Sequence, residues 1–145
     1  MGKEKSAGAV IFRKENSVTK YLLLHYESGH WDFVKGNVEL GEDELVTVKR
    51  EAREETGIDD LRIVPGFREI ISYFYRRSGD TIFKEVVFYL AETEKEDVRI
   101  SYEHVGFEWL EFKDAYEKIT YGNSKSVLGK ANSFLFENVR FGERE

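Results

Sequence analysis

The sequence predicts a single α/β or α+β domain over residues 1–145, with strands and helices interleaved within one compact unit. Three observations carry that reading. Short β-rich runs alternate with stretches of helical apolar spacing, and no repeat, linker or low-complexity tract interrupts them. The chain is long enough, at 145 residues with 41% hydrophobic and 34% charged, to bury a core without staples.

Residues 6–13 and 20–26 are apolar and β-rich, and the polar stretch Lys14-Glu15-Asn16-Ser17 between them predicts a turn joining paired strands. From Glu44 the period changes: Leu45, Val48 and Ala52 recur at i, i+3 and i+7, and Gly57 supplies a stop just beyond Thr56. That is a core-facing helix of three to four turns. Residues 67–77 and 81–91 flank Ser78-Gly79-Asp80 as a hairpin, and 106–112 form a further strand before a short helix over 113–119. Asn123 or Ser124 can cap a last helix, whose apolar stripe runs through Val127, Leu128, Ala131, Phe134, Leu135 and Asn138-Val139.

Composition narrows the function. No cysteine is present, so disulfides and thiolate metal sites are excluded, and a cytoplasmic protein is expected. The longest wholly apolar run, residues 86–91, is far short of the roughly 20 that span a bilayer, so no membrane association is expected. Gly2 and Ser6 match a short myristoylation pattern whose few fixed positions specify little. The net charge of −6 argues against binding long nucleic acid but admits phosphorylated small molecules, because a cation held by carboxylates reverses the local sign.

Such carboxylates are present. Glu51, Glu54 and Glu55 are spaced i, i+3 and i+4 and therefore share one side of the helix, bordering its apolar stripe. They sit in the last turn, where the helix dipole is negative, and Arg50 at i−4 from Glu54 does not offset all three. A bound divalent metal would. Mg²⁺ suits hard oxygen ligands, with Mn²⁺ as a substitute. The preceding segment, residues 35–42, reads as a loop in which Gly36 permits close backbone approach and can expose a carbonyl, while Lys35 can reach a phosphate. His25, His30 and His104 have no metal-ligand spacing, and no serine or cysteine nucleophile motif is visible.

Gly36, Glu42 and the run Arg50-Glu51-Ala52-Arg53-Glu54-Glu55-Thr56-Gly57-Ile58 together resemble the Nudix box, the signature of hydrolases acting on nucleoside diphosphates linked to another moiety. The resemblance implies a loop–helix–loop packed on a mixed sheet in an α/β/α sandwich. Within that superfamily the chain is most similar to the asymmetrical bis(5′-nucleosyl)-tetraphosphatases, the diadenosine tetraphosphate hydrolases. The similarity rests on residues 21–24, Trp31 to Glu39, Lys84 to Ala91, Glu103-His104 and Trp109-Leu110. Valine 34, asparagine 37 and phenylalanine 88 stand where that group usually has proline, histidine and often tyrosine.

By this resemblance, Glu51, Glu54 and Glu55 with the Gly36 carbonyl hold Mg²⁺, Arg50 orients a carboxylate, and Glu54 or else Glu51 takes the proton of the attacking water. Glu103 is a further candidate ligand or base. Lys35 and Lys84 contact phosphates, and Phe88 or Tyr89, with Tyr73 or Tyr75 as alternatives, stack on a nucleobase. The expected reaction is cleavage of diadenosine tetraphosphate to ATP and AMP. Alternatives are hydrolysis of ADP-ribose, a damaged nucleoside triphosphate or an RNA 5′ end, and a catalytically silent nucleotide-binding regulator. The sequence carries no signal for an oligomeric state.

Overall fold

Pairing runs along both sides of the long first strand. A computed structural model describes residues 2–144, with side chains through 137. Among these residues the elements are β1 (Gly2–Glu15), β2 (Val18–Tyr26), β3 (Trp31–Asp32), β4 (Val34–Asn37), α1 (Glu44–Thr56), β5 (Arg62–Arg77), β6 (Asp80–Glu92), β7 (His104–Leu110), α2 (Phe112–Lys118) and α3 (Gly122–Arg144). β1 lies parallel to β6 from Gly2↔Ile82 to Phe12↔Glu92. Its other side is shared between two antiparallel neighbours, β4 at residues 6–9 and β2 at residues 12–15. The sheet order is β3-β2-β1-β6-β5, with β4 on β1 and β7 on β2. A parallel pair needs a long crossover, and the β1-to-β6 connection contains α1.

Period-two alternation sends successive β1 side chains to opposite layers. Ala7, Ala9 and Ile11 join Leu22, Leu24 and Val34 beneath Val48 and Ala52 of α1. Val10 and Phe12 join Tyr21, Leu23, Val86, Phe88 and Leu90 beneath Ala115 of α2 and Val127, Leu128 and Ala131 of α3. The result is the expected α/β/α sandwich on a mixed sheet, with the small Ala7 and Ala9 admitting α1 close to the central strand.

Several details differ from the sequence expectation. Residues 34–37 are strand β4 rather than loop, because β1 offers them a pairing edge that no local pattern announces. Leu45 does not face the core: it is 37% exposed, in the first turn of α1 beside a surface cleft with Val38 and Tyr89, and Thr47 is buried instead. Asn123 and Ser124 lie inside α3, which begins at Gly122. The 78–80 connection is tighter than expected, since Asp80 already belongs to β6 and Ser78 and Gly79 turn with φ of 51° and 83°. The Asn138-Val139 end of the α3 stripe lies outside the residues with described side chains. No helix among the described residues is long and apolar enough to cross a membrane.

Candidate active site

Helix α1 starts at the N-cap Asp43, whose carboxylate accepts from the Val46 N–H at 2.8 Å, and stops at Gly57, which adopts φ 77° in the left-handed region. Its last carbonyls are covered by the segment between β6 and β7: the Arg99 N–H donates to Thr56 O at 2.9 Å and the Ser101 N–H to Glu55 O at 3.2 Å. This strap brings Glu103 to the carboxylate helix.

A cleft of about 430 Å³ forms there, lined by Lys35, Gly36, Asn37, Glu39, Glu51, Glu54, Glu55, Ser101, Tyr102 and Glu103. It unites six of the residues singled out from the sequence: Lys35, Gly36, Glu51, Glu54, Glu55 and Glu103. The glutamates are graded by depth, Glu54 60% exposed, Glu51 15% and Glu55 5% in their side chains, as expected for a face bordering the apolar stripe. β4 crosses directly under the helix: a Cβ built on Gly36 would lie 2.0 Å from Glu51 Cδ, so the Glu51 side chain occupies the space a larger residue would need.

Arg50 organises the rim. It donates to Glu42 twice, Nε to Oε2 at 2.7 Å and Nη2 to Oε1 at 3.0 Å, and Nη1 donates to Glu51 at 2.7 Å and Glu54 at 3.1 Å. Nη2 also reaches the Asn37 carbonyl at 3.0 Å. Hydrogen bonds from Arg50 hold Glu42 down to about 2, helped by the Glu39 N–H. Glu42 was not among the expected site residues, although its place in the box was the signal that could have found it.

Deeper in, the balance reverses. Burial pushes the Glu55 carboxyl up to about 9, and the nearby Glu51 and Glu103 charges add to the shift. Burial also raises Glu51, against the pull of Arg50. Glu55 Oε2 has no hydrogen-bond partner among the described residues. Three features thus fit a divalent cation: a repelling carboxylate set, an orphaned buried oxygen, and a glycine cradle. No three of these groups stand as a ready ligand set, because Arg50 draws Glu51 and Glu54 to itself.

The remaining expected residues lie elsewhere. Lys84 does not line the cleft; its ammonium donates to Asn37 Oδ1 at 2.7 Å and Glu4 Oε1 at 3.4 Å, and burial lowers its pKa. It therefore acts on the cleft through Asn37, which also accepts from Ser6 Oγ at 3.0 Å. Tyr75 donates to Glu4 and stands 6.3 Å, centroid to centroid, from Tyr73, which is 37% exposed on the same sheet face. Phe88 is a correction: it is fully buried against Phe33 in the α3-side core and presents no ring face to a base. Tyr89 is another, since its hydroxyl donates to Glu44 at 2.6 Å in a separate cleft at the opposite end of α1. Lys35 Nζ reaches Asp32 Oδ2 at 3.4 Å while lining the cleft.

Comparison with known proteins gives a NUDIX domain model matching residues 2–128. The asymmetrical bis(5′-nucleosyl)-tetraphosphatase of Mus musculus is 35% identical over 143 residues, covering 90% of this chain and 95% of that protein. Its Caenorhabditis elegans counterpart is 37% identical over 136 residues, covering 90% and 96%. Among solved structures, a binary complex of the C. elegans Ap4A hydrolase superposes with a TM-score of 0.82 at 35% identity, covering 92% of this chain and 98% of that one.

Proposed function

Because this chain belongs to the NUDIX domain family, we propose that it hydrolyses a phosphoanhydride bond of a nucleoside diphosphate-linked substrate, diadenosine tetraphosphate, to ATP and AMP by attack of water on phosphorus. The observation that carries the reading is the meeting of Glu51, Glu54 and Glu55 with Glu103 and Lys35 in one cleft, across nearly fifty residues of intervening chain. Likeness to asymmetrical tetraphosphatases over 90% of the chain supports the substrate.

Mg²⁺ is the proposed cation, with Mn²⁺ able to replace it, and Glu51, Glu54, Glu55, Glu103 and the Gly36 carbonyl are the groups that would hold it. Bound there, it supplies charge neutralisation for the phosphates and a water more easily deprotonated. The protein's own groups do the rest. Glu54, the most exposed of the helix carboxylates, takes the proton of the attacking water, with Glu51 as the second choice. Arg50 holds both carboxylates by Nη1. Lys35 pairs with a phosphate oxygen as its contact to Asp32 yields, while Lys84 steadies Asn37 at the rim. Tyr73 and Tyr75 offer rings for a nucleobase on the face they share with Lys84. A cytoplasmic site of action is part of the same reading.

Product analysis by chromatography tests this. Diadenosine tetraphosphate with Mg²⁺ is expected to give ATP and AMP, and a chelator to abolish both. Two ADP molecules would overturn the cleavage pattern; no product would shift the substrate to ADP-ribose, a damaged triphosphate or an RNA 5′ end, or leave a silent nucleotide-binding regulator.

A further inference from the structure

Glu55 is not the only buried group at the cleft with an atom left over. His104 Nε2 also has no hydrogen-bond partner among the described residues, and it stands 3.5 Å from Glu55 Oε1. That separation is just beyond a formed hydrogen bond, so a small movement of either side chain closes it. Both side chains are buried, His104 completely.

Tyr26 and Ser101 hold the rest of the imidazole. His104 opens β7 opposite Tyr26, at a register shift between His25 and Tyr26, an irregularity of the kind that re-aims a side chain. The Tyr26 ring meets it edge-on at 4.5 Å, and Tyr26 is itself tied down by its hydroxyl donating to Phe33 O at 2.6 Å. Ser101 Oγ lies 3.1 Å from His104 Nδ1 and accepts from the Glu103 N–H at 3.3 Å. A hydroxyl that accepts from that amide is free to give its own proton to Nδ1. When it does so, the ring's own hydrogen sits on Nε2, the nitrogen facing Glu55.

We propose that His104 is a positioning residue for Glu55: its Nε2–H donates to Oε1 and holds the carboxylate so that Oε2 is left for the cation, with Ser101 setting the tautomer. The inference rests on the metal-dependent reading above and extends it to a residue that touches neither substrate nor metal. It also couples Glu103 on the strap to Glu55 on the helix, because the Glu103 amide begins the chain of donors that ends on Glu55. Partners of this kind govern metal affinity through ligand orientation, by ~10–100-fold when removed.

Two measurements decide it. In Mn²⁺ titrations followed by electron paramagnetic resonance, His104→Phe, which keeps ring volume without a donor, is expected to weaken binding about tenfold or more, and His104→Gln, whose amide donates from a similar reach, to restore most of it. Independently, long-range ¹H–¹⁵N spectra of the metal-free protein are expected to show His104 protonated on Nε2, with Ser101→Ala releasing the ring to a tautomer mixture. Wild-type affinity in His104→Phe, or hydrogen on Nδ1 in the wild type, overturns the proposal while leaving the metal reading standing, provided Glu55→Gln loses Mn²⁺. Failure of the wild-type protein to bind Mn²⁺ in the cleft overturns both.

Discussion

Arg50 grips Glu42 with two hydrogen bonds of 2.7 and 3.0 Å, and this fork closes the segment between β4 and α1 onto the carboxylate helix. The same oxygen of Glu42 that receives Nη2 also accepts from Thr47 Oγ1 at 2.8 Å and the Glu39 N–H at 3.0 Å. One guanidinium therefore ties the loop, Asn37 of β4, and both Glu51 and Glu54 into one arrangement. A lysine cannot reproduce it, having a single ammonium in place of a planar fork. Arg50→Lys is expected to lower kcat/KM about tenfold or more, with a larger loss at subsaturating Mg²⁺ than at saturating Mg²⁺. Equal activity at all Mg²⁺ concentrations would show that the fork does not organise the site.

Glu54→Gln removes the proposed base while keeping size and hydrogen-bonding capacity. At 60% exposure the side chain adds little to packing, so the melting temperature is expected to stay near wild type while kcat falls by about 10²–10⁴. A smaller loss in Glu54→Gln than in Glu51→Gln would transfer the proton-accepting role to Glu51.

Glu55 makes the metal-free protein sensitive to pH. Its folded-state pKa, about 9, lies above the ordinary value of 4.5, so the folded form binds a proton that the unfolded chain gives up. The associated stability is fully present below about 4.5 and is lost as pH rises toward 9. Metal-free protein is thus expected to melt at falling temperature from pH 5 to pH 9, a trend that Mg²⁺ reverses and Glu55→Gln flattens. Calorimetric titration in buffers of different ionisation enthalpy is expected to show proton release on metal binding near neutral pH.

Gly36→Ala places a methyl group where Glu51 Cδ now lies, 2.0 Å away. The flexible glutamate can swing aside, so the chain is expected to fold with a loss of about 1–3 kcal/mol, while displacement of Glu51 lowers metal affinity. Retained affinity, measured alongside a urea melt, would remove the cradle from the argument.

Phe88 and Tyr73 separate core from binding. Phe88→Leu is expected to cost about 1–2 kcal/mol of stability and leave KM unchanged, because the ring is fully buried against Phe33. Tyr73→Ala is expected to do the reverse, raising KM several-fold with little effect on unfolding. A shift in KM for Phe88→Leu alone would restore that ring to the substrate.

The sequence by itself determined what depends on near neighbours: the start and stop of α1 at Glu44 and Gly57, the common side taken by Glu51, Glu54 and Glu55, and the order of the longer strands and the helices. These follow from 3.6-residue spacing and from caps within a few residues. Tertiary structure decided what depends on register and distant pairing. Whether Phe88 or Tyr89 faces the α3 core turns on strand parity, and a one-residue shift would exchange them. The turning of Lys84 toward Glu4 and Asn37, the pairing of residues 34–37 with β1, and the arrival of Glu103 and His104 beside Glu55 join segments that no local spacing relates. Local periodicity can place carboxylates on one helix face, but their depth, charge state and partners are set by what the rest of the chain folds against them.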